Sequence, residues 1–352
     1  MFDKELKELE AISQAVGNFP DMVQGGGGNT SVKLDGELMA VKASGFKLSQ
    51  INSVNGFVAV NYRNIKNYYE NVDLALDTDF EKESVEFVKK NIVELEGIKS
   101  LRPSVEAGFH SIMKKYVIHT HPVYANILCC SHEGRELMER IFAKKPYECI
   151  WIPYINPGFC LTLKIKDEID RCMKEKGKFP EVIFLENHGL VVTCDEFEKS
   201  MSLHGEVNDL IIAHLGIKDK FPAIELEKKN ETLCISRNSY LSEFFRGRNI
   251  GPEFFDEIAL YPDQLVYLNG NISINGSGKK LNINTKTGEI TYETGFAEAL
   301  TMEETLMGYV YVVAQIEKNK LHIKTMTPKE ADFIKNWESE SYRKSLVKEL
   351  TR

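Results

Sequence analysis

The sequence predicts an α/β protein with a larger N-terminal part and a small C-terminal α+β extension. Its 352 residues are enough for two domains or for one domain with a large elaboration. In the first half, strand-like and helix-like segments alternate, beginning with a helical period over 3–16. After residue 215 the composition changes, and short strand-like runs follow, separated by Gly and Asn. We therefore place the two parts at 1–220 and 236–352.

A β-hairpin and a series of strands and helices are predicted for the first part. Apolar and polar residues alternate over 30–43 around Asp35-Gly36, a pair favoured in two-residue hairpin turns. Ser104 is expected to cap a helix that runs from Val105 to about Lys115. The remaining predictions are an amphipathic helix at 79–95, a strand at 116–121 with a helix start at Pro122, a strand at 181–186 that continues after a turn as LVVTC (190–194), and a helix at 196–214.

The extension is predicted to combine short strands with two helices. The strands are placed at 264–268, 272–274 and 281–284. Thr301 with Glu304 forms a capping-box pattern at one predicted helix start. Thr327 with Glu330 forms another, and a proline follows Thr327 at the first helical position. The charged, proline-containing segment 218–231 is either a connection between the two parts or an exposed sheet edge.

Composition and charge exclude several classes of protein. With 43% hydrophobic and 27% charged residues, bulk disorder is not expected. The formal charge of -8 disfavours a nucleic-acid binder, because no basic face large enough to follow phosphates is visible. The chain has neither an apolar run of about 18 residues nor the apolar core of a signal peptide, so no membrane partner is expected. Seven cysteines without CxxC spacing predict a reducing cytoplasm.

Three histidines and one glutamate are candidates for a metal centre. In a strand, His119 and His121 point to the same face, which suits two ligands of a tetrahedral zinc site. His188, at the end of a buried strand and before a glycine, is the best third ligand. Glu106 could act as a general acid/base near a metal-bound substrate. Each residue also has an ordinary structural explanation, so the spacing alone indicates a possible metal enzyme.

A glycine-rich segment, Gly25 to Gly28 followed by Asn29, is a candidate anion site. It is not a P-loop, since no Gly-Lys-Ser/Thr follows, and it is not a dinucleotide fingerprint, since a hairpin follows it. Its backbone N–H groups could still cradle a phosphate or another anion. The Ser44-Gly45 pair and Ser104 could supply further donors. The alternative is three ordinary turns.

Six segments together resemble the class II aldolase/adducin family. They are GGGGNTSVK (25–33), VKASGFKL (41–48), RPSVEAGFH (102–110), VIHTHPVY (117–124), IPYINPGF (152–159) and LENHGLVVT (185–193). These segments are most similar in sequence to fuculose-phosphate and rhamnulose-phosphate aldolases, especially to the aldolase half of rhamnulose-phosphate aldolase/alcohol dehydrogenase fusions. A dehydrogenase half is not indicated here, because no GxGxxG follows residue 215. The resemblance implies that 1–220 is a catalytic domain, an αβα sandwich around a central, mainly antiparallel sheet. It also implies a homo-oligomer, usually a tetramer.

The resemblance also implies a role for each candidate residue. The metal, zinc, would be held by His119, His121 and His188. Glu106 would be the acid/base and a possible fourth ligand. Substrate phosphate would lie near Gly28, Asn29, Ser44, Gly45 and Ser104. The implied reaction is the reversible C–C cleavage of a ketose phosphate, in which zinc stabilises the enediolate and no Schiff-base lysine is needed.

Two departures and several alternatives accompany this resemblance. Val105 stands where fuculose-phosphate aldolases have a second Ser, and Tyr154 is out of register with a family tyrosine. A sugar-phosphate epimerase, decarboxylase or dehydratase could use the same zinc site, and manganese or iron could replace zinc. An adducin-like binding module would lack the zinc ligands. His110 could orient Glu106, and His204 could support the site or simply pack on its helix. Three tyrosines of the extension could reach the site or pack in the core, namely Tyr261, Tyr267 and Tyr292.

Overall fold

A seven-stranded sheet forms the centre of the first part of the chain. The computed structural model describes residues 2–99 and 101–336. The strands are β1 (Asn29–Lys33), β2 (Leu38–Lys42), β3 (Phe57–Asn61), β4 (Tyr116–Thr120), β5 (Glu148–Ile152), β6 (Pro180–Leu185) and β7 (Gly189–Cys194). Their order is β3-β2-β1-β4-β7-β6-β5. Only the β5–β6 pair is parallel among these neighbours, so the sheet is mainly antiparallel, as expected.

The predicted hairpin at 30–43 is confirmed as β1 and β2. The Asp35 carboxylate accepts hydrogen bonds from the backbone N–H groups of Glu37 and Leu38, both at 2.7 Å. This side chain closes the turn in the way that Asp commonly does, by bonding the backbone two or three residues on. The register then pairs Ser31 with Val41.

Helices cover both faces of this sheet. They are α1 (Asp3–Gly17), α2 (Tyr62–Asn71), α3 (Phe80–Lys90), α4 (Ala107–Ile112), α5 (Val123–Cys129), α6 (Gly134–Phe142), α7 (Phe159–Lys176) and α8 (Phe197–Leu215). Successive strand residues face opposite layers. Val117 and Val191 pack with α4 and α7, whereas Ile118 packs with α1 and Val192 with α5, α6 and α8. The sheet is therefore the middle layer of the predicted αβα sandwich.

Two predicted helices of the first part have different bounds. The helix predicted from Val105 begins at Ala107, and the Ser104 hydroxyl does not cap it but accepts the N–H of Glu106 at 3.3 Å. The helix predicted at 79–95 ends at Lys90 because the following residues form a bridge, Ile92 with Val60, beside the sheet. In both cases tertiary contacts override the local signal.

The extension has a five-stranded sheet of its own. Its strands are β8 (Leu226–Asn230), β9 (Leu233–Ser236), β10 (Ile272–Ile274), β11 (Leu281–Ile283) and β12 (Ile290–Tyr292), in the order β10-β11-β12-β9-β8. Its helices are α9 (Ser239–Phe245), α10 (Phe254–Glu257), α11 (Pro262–Tyr267), α12 (Phe296–Lys318) and α13 (Pro328–Asn336). Residues 337–352 of the predicted extension lie outside the described residues. The segment 218–231 supplies an edge strand, β8, which agrees with one of its two interpretations.

Two of the predictions for the extension are wrong, and a third is confirmed. The strand predicted at 264–268 is wrong, because residues 264–267 belong to α11 and Leu268 is its C-cap. All of them are buried, which removes the period that separates helix from strand. The helix start at Thr301 is wrong too, because α12 begins at Phe296. The second capping box is confirmed: Thr327 N–H donates to the Glu330 carboxylate at 2.7 Å, and Glu330 N–H donates to the Thr327 hydroxyl at 3.4 Å.

The extension packs closely against the first part. Helix α12 lies against α5, and one continuous apolar core contains residues of both, including Leu128 and Leu306. The Asn187 amide donates to the backbone carbonyls of Leu260 and Lys324, both at 2.8 Å. The division at 1–220 and 236–352 stays a prediction. Within the described residues, no helix is long and apolar enough to span a bilayer.

Candidate metal centre

Three buried histidines converge at one end of the central sheet. His119 and His121 lie at the end of β4, and His188 lies in the turn between β6 and β7. Because β4 pairs with β7 and Asn187 adopts a left-handed φ of 50°, this turn brings His188 beside the β4 histidines. One nitrogen from each ring lies within 4.8 Å of the others. The structure thus brings together the three predicted ligands.

The donor set fits a metal ion. The Nε2 atoms of His119 and His121 are 3.2 Å apart, and nitrogens bound to one tetrahedral zinc at about 2.1 Å would lie roughly 3.4 Å apart. His119 Nδ1 lies 3.0 Å from the Leu190 carbonyl, which can only accept, so Nδ1 carries the proton and Nε2 keeps its lone pair. Two facing lone pairs repel each other, and a cation between them would relieve that repulsion.

Burial keeps two of these imidazoles, those of His119 and His188, neutral. It lowers the pKa of His119 to about 4 and the pKa of His188 to about 3, with burial the largest cause in each. A metal ion binds only the deprotonated ring nitrogen. The Nδ1 atom of His188 is buried without a hydrogen-bond partner among the described residues. The His119 and His188 rings are therefore in the protonation state that a metal ion requires at neutral pH.

Glu106 lies opposite the histidines. It occupies the N-cap position of α4 and is 3% exposed. Its Oε1 atom is 3.4 Å from His188 Nε2, and its Oε2 atom is 3.6 Å from His119 Nε2. The Asn29 amide donates to Oε2 at 2.5 Å, which holds the carboxylate in place. A carboxylate in this position could add a fourth ligand or move a proton on a molecule bound at the histidines.

The predicted phosphate residues lie on neighbouring loops. Asn29 Nδ2 is 3.4 Å from the Ser104 hydroxyl. The Ser44 N–H donates to the Arg102 carbonyl at 2.9 Å, which ties the Ser44-Gly45 turn to the segment before Ser104. Both Gly28 and Gly45 have positive φ, 65° and 85°, and a Cβ on Gly28 would lie 2.7 Å from the His119 carbonyl. The loops are near the histidines, and their role in binding phosphate stays a prediction.

The two other histidines considered for this site, His110 and His204, have partners of their own. His110 shares a hydrogen bond with Ser31 Oγ at 2.7 Å through Nδ1, and burial lowers its pKa to about 3. His204 lies on the opposite side of β4, where its Nε2 shares a 2.7 Å hydrogen bond with the Thr120 hydroxyl. Burial lowers the pKa of His204 to about 4. Both rings belong to the packing around β4 rather than to the group of three.

The sequence prediction missed two of the residues through which the extension reaches this centre, Asp263 and Glu304, and named the third, Tyr267, as one that could reach it. Asp263, in α11, is fully buried, and its Oδ2 bonds Nδ1 of His121. Tyr267 accepts the Gly26 N–H at 3.3 Å, whereas Tyr292 stays in the core. The Glu304 carboxylate accepts the Gly25 N–H at 3.0 Å. The Pro262-Asp263 pair is a helix-start signal that favours a helix over a strand here and could have drawn attention to Asp263.

Tyr154 lies apart from these residues. It lines a cavity of about 850 Å³ between the 154–160 segment and α13. None of the three histidines lines that cavity. Burial raises the pKa of the Tyr154 hydroxyl far above its usual range. This hydroxyl stays protonated at neutral pH. Its position away from the three histidines agrees with the sequence, in which Tyr154 is out of register with the family tyrosine.

The fold and the site define an αβα sandwich with a buried three-histidine centre that could hold a metal ion. A family model described as the class II aldolase and adducin N-terminal domain matches residues 7–212, more than half of the chain. The chain belongs to this family, which suggests that it is an enzyme of the lyase class. The family resemblance seen in the sequence is confirmed.

Individual relatives and solved structures are similar to parts of this chain. An uncharacterized oxidoreductase of Bacillus subtilis (strain 168), YuxG, is 28% identical over 230 residues, and the match covers 60% of this chain but only 31% of that protein. The N-terminal class II aldolase domain of a Thermoplasma acidophilum protein is 25% identical, with a TM-score of 0.50 over 61% of this chain and 95% of that one. An L-fuculose 1-phosphate aldolase is 19% identical, with a TM-score of 0.41 over 61% of this chain and 86% of that one.

Proposed function

We propose that this protein is a zinc-dependent aldolase that reversibly cleaves a ketose phosphate. One observation carries the proposal: three buried imidazoles with converging nitrogens face a buried carboxylate, Glu106, within 3.4 to 3.6 Å of two of them. Family membership makes aldol chemistry the first reaction to expect. The substrate would be a small sugar phosphate, and neither nucleic acid nor membrane is a proposed partner. We also propose a cytoplasmic homo-oligomer, a tetramer by family resemblance.

The proposed roles follow from the charges and contacts of the residues. Held by His119, His121 and His188, zinc would supply Lewis-acid stabilisation of negative charge on the substrate oxygens. When the C–C bond breaks, the carbon that bears the hydroxyl becomes the aldehyde and its hydroxyl proton is released to water, while the electron pair of the bond stays on the carbon next to the carbonyl. Glu106 would deliver a proton to that carbon, or remove it in the reverse direction. Asn29 donates to the same carboxylate and would keep it oriented for this transfer.

The phosphate would be anchored by neutral donors. The proposed group consists of Gly28, Asn29, Ser44, Gly45 and Ser104. Backbone N–H groups near glycines with positive φ form concave anion sites, and Gly28 and Gly45 provide this conformation. Val105 supplies no hydroxyl to the pocket. We therefore expect fewer hydrogen bonds to phosphate than two adjacent serines would make.

Metal content and cleavage should be measured together. We expect about one zinc per chain in the purified protein, its loss in His119→Ala, and its retention in His132→Ala, where an exposed histidine outside the group is removed. A screen of ketose 1-phosphates should then show release of dihydroxyacetone phosphate or of an aldehyde. Zinc without cleavage of any substrate would favour an epimerase, decarboxylase or dehydratase, since each also needs a stabilised enolate. Wild type that binds no added metal would favour a binding module.

A further inference from the structure

We propose that Asp263, which the extension contributes, is a positioning residue that orients His121 and strengthens its bond to the metal. This inference rests on the proposed metal-dependent function, because it requires that His121 be a ligand. Asp263 contacts His121 on the ring nitrogen that does not face His119. It acts from the far side of the His121 ring, through Nδ1.

The contact between Asp263 and His121 has the form that supports a metal ligand. Asp263 is 0% exposed, and burying a carboxylate is costly unless it is paired and hydrogen-bonded. Its Oδ2 meets His121 Nδ1, so Nδ1 carries the proton and Nε2 keeps the lone pair that points to His119 Nε2. A carboxylate partner fixes the tautomer and orientation of a ligating imidazole and increases its basicity.

The glycine-rich loop is shaped around this contact. A Cβ on Gly27 would lie 2.8 Å from His121 Nδ1 and still closer to the Asp263 carboxylate. Real Cβ atoms do not approach other atoms so closely, and both neighbours are buried side chains with little room to move. Glycine at this position therefore allows the loop to cover the Asp263–His121 pair and to shield it from water.

Two further contacts fix the extension at this place. Tyr267, one turn after Asp263 in α11, accepts the Gly26 N–H. Glu304, in α12, accepts the Gly25 N–H and an ammonium hydrogen of Lys47 at 3.1 Å. Helix α11, which carries Asp263, and helix α12 therefore also hold the loop that covers this residue. The alignment of Asp263 with His121 is set by several contacts and does not depend on one flexible side chain.

The three histidines differ in what their outer nitrogens contact, that is, the ring nitrogens that point away from the shared centre. The outer nitrogen of His119 meets a backbone carbonyl, and that of His188 is buried without a partner among the described residues. Among the described residues, only His121 of the three has its outer nitrogen, Nδ1, against a carboxylate. A charged acceptor forms a stronger hydrogen bond than a neutral one. We therefore expect that, of the three histidine–metal bonds, the bond from His121 depends most on a residue outside the group of three histidines.

The test is a metal titration of the full-length chain. Metal-free protein should be titrated with Zn²⁺ in competition with a chromophoric chelator, for wild type, Asp263→Asn and Asp263→Ala. We expect zinc affinity to fall about 10- to 100-fold, more for Ala than for Asn, whose amide oxygen can still accept from Nδ1. The absorption spectrum of the Co²⁺-loaded protein should change with the same substitutions, because it reports ligand geometry.

A matched control is available in the same extension. Glu303 is another buried carboxylate, bonded to the Tyr292 hydroxyl at 2.5 Å and the Ser236 hydroxyl at 2.7 Å, away from the histidines. Glu303→Gln should keep wild-type zinc affinity. If Asp263→Ala does not fold, Gly27→Ala provides an independent test, because its methyl group would displace the pair without removing a charge. It should also weaken zinc binding.

The outcomes separate this inference from the proposed function. Zinc affinity within twofold of wild type in Asp263→Asn and Gly27→Ala would overturn the role of Asp263, even if their metal-free forms unfold more easily. Equal loss of zinc in Glu303→Gln would overturn it too, because the effect would then be a general disturbance of the extension. Wild type that binds no zinc would instead refute the proposed function itself.

Discussion

The two parts of the chain contribute to opposite sides of the same centre. The first part supplies the groups that would face a metal and substrate under the proposed function: the three histidines, Glu106 and Asn29. The extension supplies groups that lie behind them, with Asp263 against His121 and Tyr267 and Glu304 against the glycine-rich loop. This division suggests that the αβα sandwich can carry the proposed reacting groups while the extension adjusts their position and charge.

The largest effect should come from a residue that faces the substrate. Glu106→Gln removes the proposed acid/base and keeps its shape, so we expect kcat/KM to fall about 10²- to 10⁴-fold. Zinc content should stay near wild type, because three histidines remain. Glu181→Gln is the matched control, since it changes a buried carboxylate of the first part that pairs with Lys114 and Lys199. Full activity in Glu106→Gln would show that the reacting groups lie elsewhere.

A second test asks whether the two parts fold as one unit. Leu306 is fully buried in the core that α12 shares with α5, so Leu306→Ala should lower the free energy of unfolding by about 2–5 kcal/mol. Urea denaturation followed by hydrogen exchange should show peptides from β4 and β12 losing protection together. Phe296→Ala, at a position that is 41% exposed on the same helix, should have little effect. Separate transitions would instead show that the extension unfolds independently.

The sequence predicted the first part of the site well because its signals are local. The period of a strand is enough to place His119 and His121 on one face and Thr120 on the other, and the contact of Thr120 with His204 agrees with this. Placing His188 beside these two histidines requires one further fact, namely that β4 pairs with β7. That pairing is implied by the family resemblance but not by any periodicity of the residues themselves.

The extension was harder to predict for a physical reason. Helices α11 and α12 are buried on nearly all sides, so their residues lack the polar face from which a helical period is recognised. Assigning 264–268 to a strand also hid the position of Asp263. In addition, Asp263 is 142 residues away from His121. No local pattern reports a contact between residues so far apart.

A pH experiment sharpens the comparison between the two parts of the chain. It probes Glu303, a carboxylate of the extension that contacts the core and not the three histidines. Burial raises the pKa of Glu303 to about 6 from 4.5, so the folded protein holds this proton more tightly than the unfolded chain. The resulting stability is present below pH 4.5 and is lost as the pH rises towards 6. The free energy of unfolding of wild type, relative to Glu303→Gln, should therefore fall by about 2 kcal/mol between pH 4.5 and pH 7.

The measurement for Glu303 is urea denaturation of both proteins at a series of pH values. The difference between the two isolates the one carboxyl group, because every other titrating group is common to both. A difference that stays constant across this range would contradict the raised pKa. Zinc affinity should not change between the two proteins, in contrast to Asp263→Asn.

The smallest expected effect concerns the hydrogen bond from Gly26 N–H to the Tyr267 hydroxyl. Tyr267→Phe removes this 3.3 Å bond and leaves the ring packed between Ala259 and Met326, so we expect a loss of about 0.5–1.5 kcal/mol in unfolding free energy. If the extension positions the glycine-rich loop, KM should rise a few-fold while kcat and zinc affinity stay near wild type. Tyr240→Phe, on the distant helix α9, is the control and should leave KM unchanged. An unchanged KM in Tyr267→Phe would limit the influence of the extension to the side of the site that holds His121.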